Sequence, residues 1–260
     1  MKVVLFCGGL GTRLREHTET IPKPMVTIGQ RPILWHLMKY YAHFGHREFI
    51  LCLGHMGDQI KQYFIDYREW ISNDFRLSGT NGEIDLFQHD IADWKITFAE
   101  TGRNASIGQR LRAVRHYLGD DARFLANYSD GLSDLPLGDY LDRFERQNKI
   151  ASFACVRPNH SFHRVAVGAD HLVREIRPAQ QSDIWINGGF FAFKREVFDY
   201  LHEGEDLVEE PFQRLIAEQQ LLAYPHEGFW ACMDTFKDKK AFDDRYIRDD
   251  MPWQLWRSQA

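Results

Sequence analysis

The sequence predicts an α/β fold in which helices cover a mainly parallel sheet. Short apolar runs alternate with amphipathic stretches along the 260 residues, and this alternation is typical of strand-helix units. The first apolar run, Val3–Phe6, passes directly into two glycines, and a strand that ends in a glycine-rich turn is typical of ligand-binding α/β proteins. The length is sufficient for one large core, so we expect a single domain spanning residues 1–260.

Each predicted strand is a short apolar run bounded by polar or turn-forming residues. The predicted helices carry apolar residues at helical spacing, as Leu34, Leu37 and Tyr41 do in the first of them. Pro32 lies near the first turn of that helix, where its missing N–H costs least, and His36 is expected to pack rather than to bind a ligand. In chain order, strands are predicted at 3–6, 48–53, 96–98, 123–126, 151–156 and 190–193, and helices from 33, at 57–70 and at 106–117.

The composition is that of an ordinary soluble globular protein, with 44% hydrophobic and 27% charged residues. A formal net charge of −5 gives no overall basic field, so binding to nucleic acid is not expected. The apolar runs are too short to cross a bilayer and the N-terminus shows no signal-peptide pattern, so we expect a cytoplasmic protein without a membrane partner. The four cysteines lack paired spacing and are expected to be reduced core residues: Cys7, Cys52, Cys155 and Cys232.

The turn after the first strand has the features of a triphosphate-binding site. It reads Cys7-Gly8-Gly9-Leu10-Gly11-Thr12-Arg13-Leu14, so backbone N–H groups can approach an anion without interference from Cβ atoms, and Arg13 adds a planar cation with several donors. Leu14 stands where the dinucleotide fingerprint needs a small residue, and the Gly-Lys-Ser/Thr end of a P-loop is missing. The alternative is a plain strand-to-helix turn.

Lys23 favours the phosphate-binding interpretation. It lies between Pro22 and Pro24, which restrict the backbone on both sides and hold one cation at a defined place. A cation fixed in this way, ten residues after a glycine-rich turn with its own arginine, is suited to an anion with several charges.

Asp130 is a candidate magnesium ligand. A triphosphate carries several negative charges, and Mg²⁺ usually takes one or two carboxylates together with substrate oxygens and water. Asp130 follows an apolar strand and precedes Gly131, which predicts a position at the carboxyl end of that strand, where α/β sheets bind ligands. The alternative is an Asx turn before glycine. Asp134 is close enough in sequence for a supporting or capping role.

Several further segments, together with the glycine-rich turn and Pro22-Lys23-Pro24-Met25, resemble the signatures of one family. The chain resembles the sugar-phosphate nucleotidyltransferases, and most closely their glucose-1-phosphate cytidylyltransferase branch, from Met1 to about Trp256. The resemblance implies a Rossmann-like three-layer sandwich with a mainly parallel mixed sheet, in which residues of about 1–135 bind the nucleotide and residues of about 136–260 bind the acceptor. The segments are Pro32-Ile33-Leu34-Trp35-His36, Trp94-Lys95-Ile96-Thr97, Glu100-Thr101-Gly102, Tyr128-Ser129-Asp130-Gly131, Ile186-Asn187-Gly188-Gly189-Phe190-Phe191, Gly228-Phe229-Trp230 and Met233-Asp234-Thr235.

The resemblance implies transfer of a cytidylyl group from CTP to a sugar-1-phosphate, with glucose-1-phosphate as the expected acceptor and Mg²⁺ as the cofactor. Arg13, Lys23 and Asp130 are the implied catalytic residues. Asp234 is implied as the second magnesium ligand beside Asp130, although its local sequence also suits a helix cap. The implied nucleotide-binding residues are Gly8, Gly9, Gly11, Thr12, Arg13, Gln109, Arg110 and Tyr128, and the implied acceptor-binding residues are Arg177, Asn187 and Gly188.

Two regions depart from the family pattern. Ile176 stands where the family carries a glutamate that binds sugar hydroxyls, Arg177 replaces the following lysine, and Val165 replaces an upstream glycine. Glu175 can replace the glutamate only if the strand register shifts, because neighbouring strand residues point to opposite faces. Gln109 stands where the family carries glycine. Its amide can bond to the edge of a pyrimidine base, although its side chain also narrows the pocket. CTP is therefore expected, with dTTP and UTP as alternatives. A different phosphate or phosphonate acceptor, or a catalytically weak nucleotide-binding paralogue, are the alternative functions.

The polar segment 72–93 is expected to be a surface excursion or a lid, with Thr80-Asn81-Gly82 as a turn signal. An unstructured loop of this length is uncommon without a role. The resemblance implies that the segment takes part in subunit contacts and in closing the nucleotide site, so a homo-oligomer is expected. It also implies that the product feeds deoxysugar, capsule or O-antigen synthesis, that is, polysaccharide biosynthesis.

Overall fold

The computed structural model describes residues 1–9, 20–80, 82–158, 163–179 and 183–259, and the elements below lie within those ranges. The helices are α1 (Ile33–His43), α2 (Gly57–Ile65), α3 (Ile107–Ala113), α4 (Leu137–Gln147), α5 (Glu210–Ala217) and α6 (Phe236–Ile247). The strands are β1 (Val3–Phe6), β2 (Thr27–Ile28), β3 (Arg31–Pro32), β4 (Glu48–Leu53), β5 (Phe75–Ser78), β6 (Glu83–Leu86), β7 (Lys95–Glu100), β8 (Arg123–Tyr128), β9 (Gly131–Ser133), β10 (Ala151–Val156), β11 (His163–Val167), β12 (Val173–Pro178), β13 (Ile186–Asn187), β14 (Phe191–Lys194), β15 (Leu221–His226) and β16 (Trp230–Cys232).

The central sheet is mixed, and it is parallel around β1. Its strand order is β13-β10-β14-β8-β1-β4-β7, with β15 paired to β10. β1 runs parallel to β4 and β8, and β4 runs parallel to β7, whereas β14 is antiparallel to β8 and β10. Phe6 is the register partner of Cys52 on one side and of Tyr128 on the other, so the carboxyl ends of three parallel strands meet at one edge.

Helices cover both faces of this sheet, because successive strand residues point to opposite sides. Val3 and Leu5 of β1 belong to one buried cluster, which includes residues of α1, α4 and α6. Val4 and Phe6 belong to a second buried cluster, which includes residues of α3 and α5. The predicted three-layer α/β sandwich with a mixed sheet is therefore confirmed.

The predicted strands and helices are present, with ends that differ by several residues. The predicted helix 57–70 ends at Ile65, because Tyr67 instead donates to Asp90 of the insertion and the carbonyl oxygen of Arg68 accepts from Arg31. A 3₁₀ helix, Glu69–Ile71, follows. The predicted helix 106–117 is divided into α3 and a second 3₁₀ helix, Arg115–Leu118. The strand predicted at 190–193 begins at Phe191, because Phe190 lies in the left-handed backbone region at φ 52°.

The insertion 72–93 contains an antiparallel ribbon of β5 and β6. Its base is fixed by a buried carboxylate, Asp90, whose side chain is 7% exposed. Oδ2 of Asp90 accepts hydrogen bonds from Ser72 Oγ at 2.5 Å, Asn73 Nδ2 at 2.8 Å and the Tyr67 hydroxyl at 3.0 Å. Lys39 Nζ lies 3.2 Å from Oδ1, and Arg31 lies 3.6 Å from Oδ2. We call these six residues the Asp90 cluster.

The electrostatics of the Asp90 cluster favour the ionised carboxylate. Burial alone raises the pKa of a carboxyl group, but the hydrogen bond from Ser72 and the charge of Lys39 outweigh it, so the pKa of Asp90 lies below its usual value. The cluster joins the insertion to α1, which carries Lys39. The insertion is therefore anchored at its base by a closed ionic network.

His36 packs in the core, as predicted. Its Nε2 lies 3.1 Å from the carbonyl oxygen of Ile28, and its Nδ1 accepts a hydrogen bond from the indole of Trp253 at 3.4 Å. Burial lowers the pKa of His36 to about 4, so the ring is neutral at pH 7. Within the described ranges, no helix has the length and apolar character needed to cross a bilayer.

The prediction of free cysteines is confirmed, but one of them lies outside the core. Cys7, Cys52 and Cys155 are buried and unpaired, whereas Cys232 is partly exposed. The core assignment is therefore wrong for Cys232, because β16 lies beside the main sheet and pairs with the short strand β9.

Candidate active site

The carboxyl edge of the sheet brings together segments that are distant in the sequence. β1 ends at Phe6 and leads into Gly8, while β8 ends at Tyr128 and leads into Asp130. Because Phe6 and Tyr128 are register partners in a parallel pair, the glycine turn and Asp130 lie at the same edge. The predicted position of Asp130 at the carboxyl end of a strand is therefore observed.

Lys23 lies between the two implied metal ligands. Its Nζ is 2.6 Å from Oδ2 of Asp130 and 2.5 Å from Oδ1 of Asp234, although these carboxylates lie 107 and 211 residues further along the chain. Pro22 is extended, with φ −68° and ψ 146°, and Lys23 begins a 3₁₀ helix in which Pro24 is buried. We call Lys23, Asp130 and Asp234 the Lys23 centre. Three of the implied site residues therefore meet in one contact.

A short antiparallel strand pair positions Asp234 at this centre. β16 pairs with β9 so that Cys232 is the partner of Gly131 and Trp230 the partner of Ser133. The backbone N–H of Met233 then donates to the carbonyl oxygen of Asp130 at 2.8 Å, which places the two aspartates at the same end of the ladder. The residue after Asp234, Thr235, is the N-cap of α6. The helix cap suggested by the local sequence is therefore Thr235 and not Asp234.

The Lys23 centre contains two carboxylates and one ammonium group. The side chains are only 14%, 26% and 24% exposed for Lys23, Asp130 and Asp234. Burial acts against the charged ammonium, but the charge of Asp130 and the hydrogen bonds to both carboxylates outweigh it, so the pKa of Lys23 lies above its usual value. Lys23 is therefore fully charged at pH 7, and its single charge faces two negative groups.

The donor atoms of the centre suit a hard divalent cation. Carboxylate oxygens are the protein ligands that Mg²⁺ prefers, and the ammonium of Lys23 already bridges one oxygen from each aspartate. In the part of the chain that the structure describes, no group of three or more His, Cys, Asp or Glu side chains could hold a metal. A magnesium ion here would complete its coordination with substrate oxygens and water.

Cys232 is a neighbour of the centre that the sequence interpretation missed. Its Sγ donates to Oδ2 of Asp234 at 3.6 Å. Burial and the nearby carboxylates raise the pKa of Cys232 to about 12, so the thiol is neutral at pH 7. Cys232 and Asp234 are two positions apart, and in an extended chain such residues share a face. That spacing was the available signal, but it is informative only once β16 is known.

Arg110 contacts the start of the glycine turn through its guanidinium group. Its guanidinium donates to the carbonyl oxygens of Gly8 at 2.9 Å and Leu53 at 3.0 Å and to the Thr101 hydroxyl at 2.7 Å. A Cβ atom at Gly8 would lie 2.1 Å from this guanidinium, so a side chain there would require Arg110 to move from these hydrogen bonds. Arg110 is 3% exposed, and burial lowers its pKa from the usual value. Gly9 is exposed, and the implied Gly11, Thr12 and Arg13 lie outside the described residues.

Gln109 lies in the first turn of α3 and takes part in a capping box. Its Oε1 accepts from the backbone N–H of Ser106 at 2.9 Å, and Ser106 Oγ accepts from the backbone N–H of Gln109 at 3.2 Å. The carboxamide oxygen of Gln109 is therefore used within the helix terminus.

Tyr128, at the end of the strand next to β1, lies beside Asn187. Asn187 Nδ2 donates to the Tyr128 hydroxyl at 3.3 Å, and Asn187 Oδ1 accepts from the backbone N–H of Gly189 at 2.9 Å. Gly189 has φ +77°, and a Cβ atom there would lie 2.3 Å from Oδ1 of Asn127, so glycine is required. Burial, followed by the charge of Asp206, raises the pKa of Tyr128 to about 12. The segment 187–189 is therefore held rigidly.

The implied acceptor residue Arg177 lies on the ribbon of β11 and β12. Its Nε is 2.5 Å from Oε1 of Glu175, so both residues lie on the same face of β12. Ile176 lies on the other face, directly opposite Val165 of β11. Ile176 and Val165 are 60% and 47% exposed. The two positions that depart from the family pattern are thus cross-strand partners, and Glu175 stays in the register that pairs it with Arg177.

Asp134 closes the far end of the β9–β16 ladder. Its Oδ1 lies 2.7 Å from Nε2 of His226, and its backbone N–H donates to the carbonyl oxygen of Phe229 at 3.1 Å. Burial raises a carboxyl pKa, but the hydrogen bond from His226 outweighs this and the pKa of Asp134 lies below its usual value. The supporting role predicted for Asp134 agrees with these contacts, whereas no sequence pattern indicated its partner His226.

Comparisons with known proteins identify the family. The family model of the nucleotidyl transferases matches residues 2–238. The chain is 38% identical to a probable glucose-1-phosphate cytidylyltransferase of Bacillus subtilis (strain 168) and 36% identical to the glucose-1-phosphate cytidylyltransferase of Salmonella typhimurium (strain LT2). Each similarity extends over 258 residues and covers 98% of this chain and 100% of the relative.

The fold comparison agrees with the family match. The solved structure of UDP-glucose pyrophosphorylase complexed with UDP-glucose has a TM-score of 0.70 with this chain, at 12% identity, and the match covers 95% of this chain and 98% of that one. An identity this low supports the fold alone. The family model, however, matches most of the chain, and the two cytidylyltransferases match nearly all of it. The chain therefore belongs to the nucleotidyl transferase family.

Proposed function

We propose that the protein transfers a cytidylyl group from CTP to a sugar-1-phosphate, giving a CDP-sugar and pyrophosphate, with glucose-1-phosphate as the favoured acceptor. The observation that carries this proposal is the Lys23 centre, in which a lysine and two aspartates from distant segments meet at the carboxyl edge of the sheet. The similarity to two glucose-1-phosphate cytidylyltransferases over nearly the whole chain favours CTP and glucose-1-phosphate.

The reaction requires positioning and charge compensation rather than a covalent nucleophile. An acceptor phosphate is already ionised at neutral pH, so one of its oxygens attacks the α-phosphorus of CTP directly, and the bond to the pyrophosphate leaving group breaks. Lys23 is fully charged and offsets the negative charge that develops between the two phosphates. Arg13 is proposed to hold the β- and γ-phosphates.

Asp130 and Asp234 are the residues that would hold Mg²⁺. When bound, the ion supplies charge neutralisation on the phosphate oxygens. The protein's own contribution is to keep the two carboxylates at a fixed separation, which the β9–β16 ladder provides. Because Lys23 contacts both carboxylates, its charge also limits their mutual repulsion before substrate binds.

The remaining implied residues divide between two halves of one proposed domain. In the half of about 1–135, the exposed Gly9 and the Nε2 amide of Gln109 are proposed to meet the nucleotide, with Gly8 and Arg110 supporting the turn. In the half of about 136–260, the segment Asn187-Gly188 and Arg177 are proposed to meet the acceptor. Since both substrates are phosphorylated metabolites of the cytoplasm, we propose that the reaction occurs there and supplies polysaccharide biosynthesis.

A specific observation favours a second candidate, a cytidylyltransferase with a different acceptor. Ile176 and Val165 face each other across the β11–β12 ribbon and form an exposed apolar pair. An apolar pair offers no hydrogen bonds to sugar hydroxyls, so an acceptor with fewer hydroxyl groups, including a simpler phosphate or phosphonate, is the alternative.

We also propose that the protein forms a homo-oligomer through the ribbon of β5 and β6. Leu77 and Ile84 are cross-strand partners, and they are 61% and 37% exposed. Phe75, on the same face of β5, is 40% exposed. A two-stranded ribbon with an apolar exposed face is a suitable surface for a second copy. Leu77→Lys is expected to lower the mass measured by light scattering, whereas Arg76→Ser, on the opposite face, is expected to leave it unchanged.

Pyrophosphate release tests the proposed function. CTP, dTTP, UTP, ATP and GTP are each combined with glucose-1-phosphate, other sugar-1-phosphates and small phosphomonoesters or phosphonates in the presence of Mg²⁺. Fastest release with CTP and glucose-1-phosphate supports the proposal, and release with another acceptor alone supports the second candidate. Asp130→Asn is expected to lower the rate about 10²–10³-fold, whereas the exposed Asp139→Asn in α4 is the matched control. No release with any pair would leave only a nucleotide-binding role.

A further inference from the structure

The indole of Trp230 links the acceptor segment to the strand that leads to Asp234. Its Nε1 donates a hydrogen bond to the carbonyl oxygen of Gly188 at 2.9 Å, across 42 residues of sequence. Trp230 is the first residue of β16, and Gly188 follows β13 directly. This contact therefore crosses from one of the two proposed substrate sites to the Lys23 centre.

On one side of the contact, the position of Trp230 is fixed relative to both aspartates. β16 pairs with β9 over Trp230 opposite Ser133 and Cys232 opposite Gly131. The ladder then continues into the hydrogen bond from Met233 to Asp130. A movement of Trp230 along its strand would therefore displace the backbone that carries Asp234.

On the other side, Gly188 has little freedom of its own. Its backbone N–H donates to the carbonyl oxygen of Ala154 at 2.8 Å, and a Cβ atom at this position would lie 2.9 Å from Cγ1 of Val156. The preceding residue, Asn187, is bonded to Tyr128 and to Gly189. The carbonyl oxygen of Gly188 is thus presented from a rigid segment, and the indole N–H is its partner.

We infer that Trp230 is a positioning residue, which sets the acceptor segment at a fixed distance from the Lys23 centre without contacting the reacting atoms. The inference rests on the proposed function, in which Asn187 and Gly188 meet the acceptor. A bimolecular transfer between two phosphates depends on holding both in a reactive geometry, and a small misplacement of one of them lowers the rate steeply. The hydrogen bond from Trp230 joins the parts that hold each reactant.

The simpler explanation is that Trp230 only fills space, since its ring also packs against the core. The two explanations differ in what the N–H group contributes. Trp230→Phe keeps an aromatic ring at the position and removes the indole N–H, so it separates packing from the hydrogen bond. Trp94, whose ring packs on Phe49 at a centroid distance of 5.1 Å, lies just before β7 at its amino end, far from the carboxyl edge, and Trp94→Phe is the matched control.

The first measurement compares steady-state kinetics of the three proteins with CTP, Mg²⁺ and glucose-1-phosphate. In Trp230→Phe, we expect the KM for glucose-1-phosphate to rise about 3- to 10-fold, the size expected for one hydrogen bond, while the KM for CTP stays within twofold. Trp94→Phe is expected to leave both values unchanged. Equal changes in both KM values of Trp230→Phe, or no change in either, would overturn the inference.

The second measurement separates this inference from the proposed function. Binding of glucose-1-phosphate is measured by calorimetry, and Mn²⁺ binding by electron paramagnetic resonance, on the wild type and on Trp230→Phe. Weaker sugar-phosphate binding with unchanged Mn²⁺ binding and an unchanged unfolding midpoint supports the inference even if the wild type fails to turn over. A parallel fall of Mn²⁺ binding and unfolding midpoint would mean a purely structural role. If the wild type neither binds nor turns over any acceptor tested, the inference and the proposed function both fail.

Discussion

The Lys23 centre and the Asp90 cluster combine the same chemical groups in opposite proportions. In the Lys23 centre one ammonium group lies between two carboxylates. In the Asp90 cluster one carboxylate lies beside two cations, Lys39 and Arg31. The carboxylates of the Lys23 centre are 26% and 24% exposed, whereas Asp90 is 7% exposed.

This difference separates a structural network from a site ready for a ligand. Three uncharged donors, from Ser72, Asn73 and Tyr67, complete the partners of Asp90, so the cluster satisfies its carboxylate within the protein. The Lys23 centre combines two carboxylates with one ammonium group and is more open to solvent than Asp90, so another cation can reach its carboxylates. In this fold, the proportion of charges and their exposure distinguish the structural cluster from the proposed site, since both contain aspartates paired with basic side chains.

The largest expected effect is on stability, from Asp90→Ala. This change leaves Arg31 and Lys39 without their carboxylate in a buried setting, so we expect the free energy of unfolding to fall by about 3–5 kcal/mol. Urea unfolding gives the value. The control is Asp93→Ala, whose 61% exposed carboxylate pairs with Arg47 at 2.7 Å and is expected to contribute less than about 1 kcal/mol. A similar fall in the free energy of unfolding in the two variants would contradict a structural role for the Asp90 cluster.

The next effect is on catalysis, from Lys23→Met. The two carboxylates then lose their shared cation, and we expect kcat to fall about 10²–10³-fold with little loss of stability. Mg²⁺ is expected to raise the unfolding temperature of the variant more than that of the wild type, because Asp130 and Asp234 have then lost the charge of Lys23. Lys39→Met, in the Asp90 cluster, should show the reverse, with lower stability and unchanged kcat. Retention of kcat within tenfold in Lys23→Met would contradict the comparison.

A smaller effect is expected on the pH dependence of stability, where the buried His36 acts at a higher pH than the carboxylates. The pKa of His36 is about 4 in the folded protein and about 6.5 when exposed, so the unfolded chain binds the extra proton between these values. Stability contributed by the neutral ring is therefore present above pH 6.5 and is lost as the pH falls toward 4, by up to about 3 kcal/mol. Thermal unfolding across this range should show a flatter pH dependence for His36→Gln.

The exposed His89→Gln is the control for this pH series, because its side chain is 61% exposed. Loss of the carboxylate contribution of Asp90 is expected at lower pH, since its folded pKa lies below the usual value. If His36→Gln keeps the full slope between pH 6.5 and 4, His36 is not the group responsible.

The smallest effect is expected from Cys232→Ala. The thiol is neutral and donates one weak hydrogen bond to Asp234, so kcat/KM should change by less than about threefold. Steady-state pyrophosphate release measures it, with Cys232→Ser as the companion variant. A loss above tenfold in both variants would mean that the carboxylates of the Lys23 centre depend on a further protein donor.

Local sequence patterns predicted the elements of this fold better than their contacts. Apolar runs and proline placement are properties of neighbouring residues. They indicated α1 and six of the eight strands of the central sheet, and they marked Lys23 as a cation with a restricted backbone. Asp234 was different, because its neighbour Thr235 caps α6 by accepting from the backbone N–H of Asp238 at 3.3 Å. Only the register of β16 on β9, which joins distant segments, turns Asp234 toward Lys23, so the family resemblance rather than the local sequence identified it.

Gln109 and Arg110 show the same difference between local sequence patterns and contacts across the chain. Both were interpreted as nucleotide-binding residues from the family resemblance. The capping box that uses the carboxamide of Gln109 can be recognised from Ser106 and Gln109, three residues apart. The position of Arg110 beneath Gly8 depends on packing between α3 and β1, across 102 residues, and no local signal reports it.

Lys23, Asp130 and Asp234 are widely spaced along the chain, so catalytic turnover can be observed only in molecules that have folded completely. Closing loops of 107 and 211 residues costs chain entropy that one small ionic contact cannot offset, so these residues meet only after β1, β8 and β16 have assembled. Circular dichroism also detects molecules in which single helices and strands have formed without this assembly. In a refolding series, the recovery of turnover should therefore lag behind the recovery of secondary structure, and the interval measures the slow long-range steps.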